Sequence, residues 1–262
     1  MLLCNSTQIS GMAEPFKDLF SSHADIYAKY RPLYPNELYE FLLSQVQQRN
    51  AALDCGTGNG QCAGVLAEYF IDVDATDISG KQIDKAVIKP NLHYHICRAE
   101  KTPFPDDRFD LITVATAAHW FQFNDFFAEM NRVAKNNAVF ACWAYSLVRT
   151  DQPLLNEMID DFYWKKIHSY WDPERKHVDE EYKNLPFPFE EIQNPGFATK
   201  LTWDLETFEG YLNTWSAVQH YIKQNNSNPV TGLLSEVRKK FDDNIQLNMT
   251  FPIFMKCGRI KK

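Results

Sequence analysis

The stretch Ala51-Ala52-Leu53-Asp54-Cys55-Gly56-Thr57-Gly58-Asn59-Gly60 decides the reading of this chain. An apolar run ends in an acid, and three glycines follow at alternate positions. The whole sequence holds ten glycines, and four of them fall between Gly56 and Gly64. Glycine costs backbone entropy, so clustering of this kind needs a cause. A strand that turns sharply into a helix, with a nucleotide-type ligand pressed against the turn backbone, supplies one. The alternative is a tight turn that holds no ligand.

Strands and helices alternate outward from this turn. Residues 71–77, 92–97, 109–115 and 138–143 read as further strands, and residues 62–69, 81–88 and 124–134 as helices. Such alternation implies parallel strands with right-handed crossovers and helices on both faces. In sheets of this type, ligands bind at the carboxyl ends of the strands, where the strand order reverses. Asp77 ends the second strand, Ala99-Glu100 follows the third, and Thr116 to Trp120 follows the fourth, so all are expected at that edge.

Upstream, Phe16, Leu19 and Phe20 recur at helical spacing, and the prolines of Tyr30-Arg31-Pro32-Leu33-Tyr34-Pro35 interrupt the pattern. Asn36 is placed to cap a helix that buries Leu38, Tyr39, Leu42, Leu43 and Val46. Downstream, residues 146–195 are rich in Trp, Tyr, Lys and Asp and read as a cover over the sheet. A strand at 198–203, helices at 206–221 and 232–241, and a final strand region at 246–260 complete the chain. One domain is expected over 12–262, with an N-terminal helical cap (12–48), a ligand-binding core (49–145), a helical cover (146–195) and C-terminal strands and helices (196–262). Gly11-Met12 offers a second start, so residues 1–11 are expected to be a disordered leader or a tag remnant.

With 262 residues, 45% of them hydrophobic, the chain can build a sizeable core. Its net charge of −7 argues against a nucleic-acid groove as the working surface. No apolar run approaches the ~18–20 residues of a membrane span. The six cysteines form no C-x-x-C pair and have no histidine cluster beside them. They are expected to be free thiols of a cytoplasmic protein that binds no metal.

Two ligand readings compete at the turn. A dinucleotide fingerprint, G-x-G-x-x-G, wants its third glycine where Gln61 stands. A pyrophosphate also prefers helix N-terminal amides without a carboxylate such as Asp54 nearby. A phosphate-free ligand with an ammonium group and a ribose, S-adenosylmethionine, suits the acid. The run 53–60 closely resembles motif I of the class I methyltransferases that use this cofactor. Ala99-Glu100-Lys101-Thr102-Pro103-Phe104-Pro105, with Phe109-Asp110-Leu111, resembles the third- and fourth-strand signature of that family. Ala118-His119-Trp120-Phe121, Tyr30 to Pro35, and Asn213-Thr214-Trp215-Ser216-Ala217 are similar to the type 11 subgroup, which includes trans-aconitate methyltransferase and related small-acid enzymes. The resemblance runs from about residue 16 to residue 260. It implies an α/β, Rossmann-like, mostly parallel seven-stranded sheet with a reversed final hairpin and helices on both faces.

The resemblance also implies roles. Gly56, Thr57, Gly58 and Gly60 form the turn over which the methionine and ribose part lies, and Asp54 helps hold the amino end. Asp77 would bind both ribose hydroxyls, with helix capping as its alternative role. Ile78 would cover the adenine face, and Ala99 and Glu100 would flank its edge. Arg98 stands where many members carry Asp, which leaves Glu100 or a backbone carbonyl to meet the adenine amino group. Thr116 and Ala117 would lie beneath the sulfonium.

The acceptor is expected to be a small molecule, most simply a carboxylic acid methylated on oxygen, because a carboxylate is already ionised at pH 7. A phenol or quinone-type acceptor, or a non-catalytic S-adenosylmethionine-binding subunit, is the alternative. His119 is the candidate for positioning the acceptor or for removing a proton from it. Tyr27, Tyr30, Trp120, Trp143, Tyr145 and Trp215 are candidate pocket walls; Tyr30, Trp120 and Trp215 are placed in the acceptor site. Arg31 and Arg149 are candidate anchors for an acid, with surface ion pairs as the alternative. The protein is expected to work as a monomer or homodimer, without nucleic acid or membrane, and to release S-adenosylhomocysteine.

Overall fold

A computed structural model describes residues 30–262. The readings of residues 1–29, including the leader, the helix through Phe16 and Phe20, and Tyr27, lie outside the described residues. β1 (Ala51–Cys55) is central, with β2 (Asp72–Asp77) on one side and β4 (Phe109–Ala115) on the other, all parallel. β3 (Leu92–Ile96) adds outside β2, and β5 (Ala134–Tyr145) outside β4. The chain therefore steps outward from β1 to β3 and returns to the other side of β1 with β4. That reversal opens a crevice at the carboxyl ends of β1 and β4. β9 (Leu247–Arg259) pairs antiparallel with β5, and β8 (Phe197–Trp203) pairs antiparallel with β9. Two short strands, β6 (Arg149–Thr150) and β7 (Glu190–Glu191), also pair with β9.

The alternation within β5 explains the layering. Val139, Ala141, Trp143 and Tyr145 enter one core, with Leu38 and Leu42 of α1 (Asn36–Gln45) and Leu66 of α2 (Gln61–Leu66). Phe140, Cys142 and Ala144 enter the other, with Phe126, Phe127 and Met130 of α4 (Phe123–Val133). α3 (Gly80–Ile83) lies between β2 and β3. With helices on both faces, β1 is buried along its whole length, which is the environment parallel strands need.

Three expectations are refined. The final antiparallel pair, β8 and β9, is joined through α7 (Leu205–Asn213), α8 (Ser216–Asn225) and α9 (Pro229–Arg238) rather than through a tight turn. The single helix read over 206–221 breaks into α7 and α8 at Thr214–Trp215. The Thr214 hydroxyl there donates to the Tyr211 carbonyl at 2.6 Å, and Trp215 turns extended. Asn36 is the first helical residue of α1 and not its cap; Pro35 holds that position without a side-chain cap bond. The cover begins with α5 (Pro153–Asp161), which buries Leu155 and Ile159, and continues into a π-helical turn at Phe162–Lys166. Tight turns at His168–Tyr170 and Pro173–Arg175 lead to α6 (Lys176–Asp179).

Asp110 fastens the amino-terminal edge of the sheet. Its Oδ2 accepts the amides of Asn50 and Ala51, each at 3.0 Å, and its Oδ1 accepts the Lys135 ammonium at 2.7 Å. Asp110→Ala strands two amides and one cation at a partly buried edge. Chemical unfolding is expected to show a loss of about 2–4 kcal/mol, with a smaller loss for Asp110→Asn. An unchanged midpoint for Asp110→Ala would contradict this role.

Candidate functional site

The turn leaving β1 is a left-handed backbone path. Gly56, Gly58 and Gly60 have φ of +64°, +57° and +79°. A Cβ on Gly56 would lie 2.6 Å from the Ala117 Cβ, and one on Gly60 would strike the Tyr94 ring, so these two positions are closed by protein. A Cβ on Gly58 would meet nothing within 4 Å. Gly58 is thus where the turn backbone faces open space, and a ligand can approach it closely.

The turn's own amides are largely engaged. Thr57 donates to the Thr76 carbonyl at 3.0 Å, Gly60 to the Thr57 carbonyl at 2.9 Å, and Gly58 to Oδ2 of Asp77 at 2.8 Å. A pyrophosphate would need such amides turned toward it. Instead two carboxylates flank the turn, which suits a cation and sugar hydroxyls. Asp54 lies beneath, 1% exposed, accepting the Thr57 hydroxyl at 2.6 Å and the Thr113 hydroxyl at 2.7 Å. Burial raises its pKa, and those hydroxyl bonds oppose the rise. Through these two bonds Asp54 pins the turn to β4.

Asp77 ends β2 beside Gly58. Its Oδ1 accepts the amide of Ser79 at 2.9 Å, and the two amides fix the carboxylate's orientation. The α3 cap position, Ser79, has no side-chain cap bond, so the bonds of Asp77 go to the glycine turn and to Ser79 itself. Ile78 follows with 38% exposure, a large apolar side chain left open at the same edge. Ala99 is buried. Glu100 accepts the amide of Gln122 at 3.0 Å and pairs with Arg98 at 3.3 Å. The loop after β3 is thereby tied to the start of α4, so the Glu100 carboxylate serves as a loop anchor at this edge.

Thr116 has φ of +57°, an uncommon state for a β-branched residue that costs on the order of 1–3 kcal/mol. The strain is held by its amide, bonded to the Trp143 carbonyl at 2.7 Å, and by its hydroxyl, bonded to that of Tyr34 at 2.8 Å. Tyr34 stacks on Tyr145 with ring centroids 5.1 Å apart and meets Trp143 edge-on at 5.4 Å. Tyr34 lies in the segment 30–35, and its partners Thr116, Trp143 and Tyr145 are remote in sequence. Ala117 then packs against Gly56 and leads into the Ala118–Trp120 turn.

His119 is 6% exposed, and its Nδ1 lies 3.2 Å from the Tyr182 hydroxyl. Burial, with the Arg175 and His177 charges adding to it, pushes its pKa down to about 3. The ring is neutral at physiological pH and a weak proton acceptor, which fits positioning better than base catalysis. Trp120 lies beside it, ring centroids 4.8 Å apart.

The other acceptor-site candidates divide. Arg149 forms a surface ion pair with Asp160 of α5 at 2.7 Å, both side chains more than 40% exposed. Arg31 places its guanidinium 5.6 Å from the Tyr211 centroid, and its Nη2 lies 3.5 Å from the Thr214 carbonyl. The Tyr30 ring packs on Gly210 of α7. Trp215, 3% exposed, joins a cluster with Tyr163, Trp171 and Tyr211 at centroid distances of 5.6, 5.9 and 5.7 Å. Tyr163, Trp171 and Arg175 in the cover were not singled out in the sequence. Among the described residues, no group of three or more His, Cys, Asp or Glu side chains could hold a metal ion.

The chain is similar to known proteins. A methyltransferase-domain model of type 11 matches residues 53–142. A Dictyostelium discoideum protein that carries a methyltransferase name is 32% identical over 247 residues, covering 92% of this chain and 94% of that protein. A solved structure from Anaeromyxobacter dehalogenans, described as a type II methyltransferase, is 37% identical with a TM-score of 0.82, covering 88% of this chain and 99% of that one. A ubiquinone/menaquinone biosynthesis C-methyltransferase from Burkholderia mallei is 48% identical over 109 residues, covering 36% of this chain and 44% of that protein. Kinship along nearly the whole chain thus meets an acid-flanked glycine turn at the reversal of a mostly parallel sheet, and the chain belongs to the class I S-adenosylmethionine-dependent methyltransferases of type 11.

Proposed function

We propose that this methyltransferase acts on a small organic acid, placing the methyl group on a carboxylate oxygen and releasing S-adenosylhomocysteine. The observation that carries the reading is the state of His119: buried and bonded to Tyr182, where burial pushes its pKa down to about 3. A site whose candidate base holds protons so weakly suits an acceptor that needs none removed. S-adenosylmethionine, when bound, supplies a methyl group on a positively charged sulfur for in-line displacement.

The residues then divide the work. The Gly58 backbone and the Asp77 carboxylate receive the ribose, and the exposed Ile78 covers the adenine, whose edge meets Ala99 and the loop that Glu100 anchors. Thr116 and Ala117 form the floor below the sulfonium. Tyr34, Trp143 and Tyr145 form an aromatic wall beside Thr116. When a carboxylate meets a sulfonium, charge disappears in the transition state. A ring-lined site that excludes water therefore disfavours the separated ions more than the transition state.

We place this chemistry in a reducing compartment, in a single domain that works as a monomer or homodimer on a dissolved acceptor. The five described cysteines are free thiols, and no helix among the described residues is long and apolar enough to cross a membrane. A quinone-type acceptor is the second reading, favoured by the partial similarity to the Burkholderia C-methyltransferase. That similarity covers too little of the chain to include both the core and the cover.

Incubation with methyl-labelled cofactor and a panel of di- and tricarboxylic acids is expected to give a product that releases labelled methanol in mild base, the mark of a methyl ester. Label that stays in a base-stable product would refute the assignment. His119→Asn is expected to lower kcat by less than about tenfold and to leave the pH profile between about pH 6 and 8 unchanged. The sign follows from the depressed pKa: the ring is already deprotonated throughout that range and gains a proton only as pH falls toward 3. A loss of about 10²- to 10⁴-fold together with a vanished alkaline rise would assign proton abstraction to His119.

A further inference from the structure

The cover returns an arginine to the candidate site. The Pro173–Arg175 turn packs against the Ala118–Trp120 turn, which brings Arg175 near enough to His119 for its charge to depress the imidazole. The Arg175 guanidinium lies 4.5 Å from the Trp171 centroid and 5.7 Å from that of Tyr163. Its Nε donates to the Tyr163 hydroxyl at 2.9 Å and to Oδ1 of Asp179 at 3.2 Å. Those bonds fix one edge of the fork. Among the described residues, Nη1 and Nη2 form no hydrogen bond, and 20% of the side chain stays accessible.

A second donor stands in the same cage. The indole Nε1 of Trp171 is buried without a hydrogen-bond partner among the described residues. Orphaned buried donors are rare and mark places completed by water or ligand. Trp171 packs on Trp215, and Trp215 on Tyr211, over which Arg31 lies. The cage therefore has aromatic walls around the Arg175 guanidinium; Asp179 engages its Nε edge, and the carboxylates of Asp172 and Glu174 stand in the same turn.

We propose that Nη1 and Nη2 of Arg175, with the indole N–H of Trp171, form a subsite for a second carboxylate of the acceptor, remote from the oxygen that is methylated. The proposal rests on the reading of the acceptor as a small acid. The planar guanidinium fork matches a carboxylate through two parallel bonds, which a lysine cannot reproduce. The gripped group must be remote. Hydrogen bonds to the reacting carboxylate would be strongest in the ground state and would fade as its charge disappears, slowing transfer. Bonds to a second carboxylate persist unchanged and orient the first for in-line attack.

Direct binding separates this proposal from the assigned reaction. Propane-1,2,3-tricarboxylate is titrated calorimetrically into the protein saturated with S-adenosylhomocysteine, with butyrate as the single-carboxylate control. The wild type is expected to bind the triacid at least tenfold more tightly than butyrate. Arg175→Gln is expected to lose most of that preference, Arg175→Lys part of it, and Trp171→Phe, which keeps a ring, several-fold. Affinity for S-adenosylhomocysteine should stay within about twofold in all three variants. Equal binding of both acids by the wild type, no binding of either, an undiminished preference in Arg175→Gln and Trp171→Phe, or a loss confined to S-adenosylhomocysteine would overturn the subsite. Selective triacid binding without methyl transfer to any acid would retire the proposed reaction while leaving the subsite standing.

Discussion

The buried carboxylate of Asp54 is the constraint on which the site depends. One oxygen holds Thr57 in the glycine turn and the other holds Thr113 in β4. The two strands on either side of the reversal are thus joined at the level where a ligand enters. At 1% exposure burial raises the Asp54 pKa, and the two hydroxyl bonds oppose that rise while they fix the carboxyl group's orientation. With the turn pinned from below, Gly58 faces open space and Asp77 takes its amide from the side. The turn amides of Thr57, Gly58 and Gly60 are thereby engaged within the protein, which suits a phosphate-free cofactor better than a dinucleotide.

The same edge gathers features that stability alone would not select. Thr116 occupies a left-handed backbone state against its β-branched preference, and two hydrogen bonds from remote parts of the chain hold it there. His119 is kept neutral deep in the protein, and the π-helical turn in the cover lies among the aromatic residues that pack on Trp215. Irregular backbone of this kind recurs at functional sites. It places rings and guanidinium groups where a regular helix would have given a flatter, more uniform lining.

Much of the core was readable because its signals are local. The continuous apolar run from Ala138 to Trp143 reads as a strand buried on both faces, and the alternate residues of β5 divide between two cores. Asp77 was legible as an acid at a strand end, and the glycines by their crowding. The cover was not legible in the same way. Tyr34 meets Thr116 across 82 residues, and His119 meets Tyr182 across 63, so neither pairing leaves a periodic trace. Proximity in sequence favoured Arg149, just after β5, but Asp160 engages it; the arginine that returns to the site is Arg175, through turns with no regular period. The break at Trp215 was hidden for a related reason. At the break Thr214 turns its hydroxyl onto the Tyr211 carbonyl and Trp215 enters an aromatic cluster, while the flanking residues read as one continuous helix.

The central claim is that the turn after β1 and the acid ending β2 together receive S-adenosylmethionine. Calorimetric titration with S-adenosylhomocysteine, comparing the wild type with Asp77→Ala, tests it most directly. The account requires saturable one-to-one binding by the wild type and a loss of about 10- to 100-fold in the variant, or about 1.4–2.8 kcal/mol, with the fold intact. Equal affinity in the two proteins, or no binding by the wild type, would contradict it.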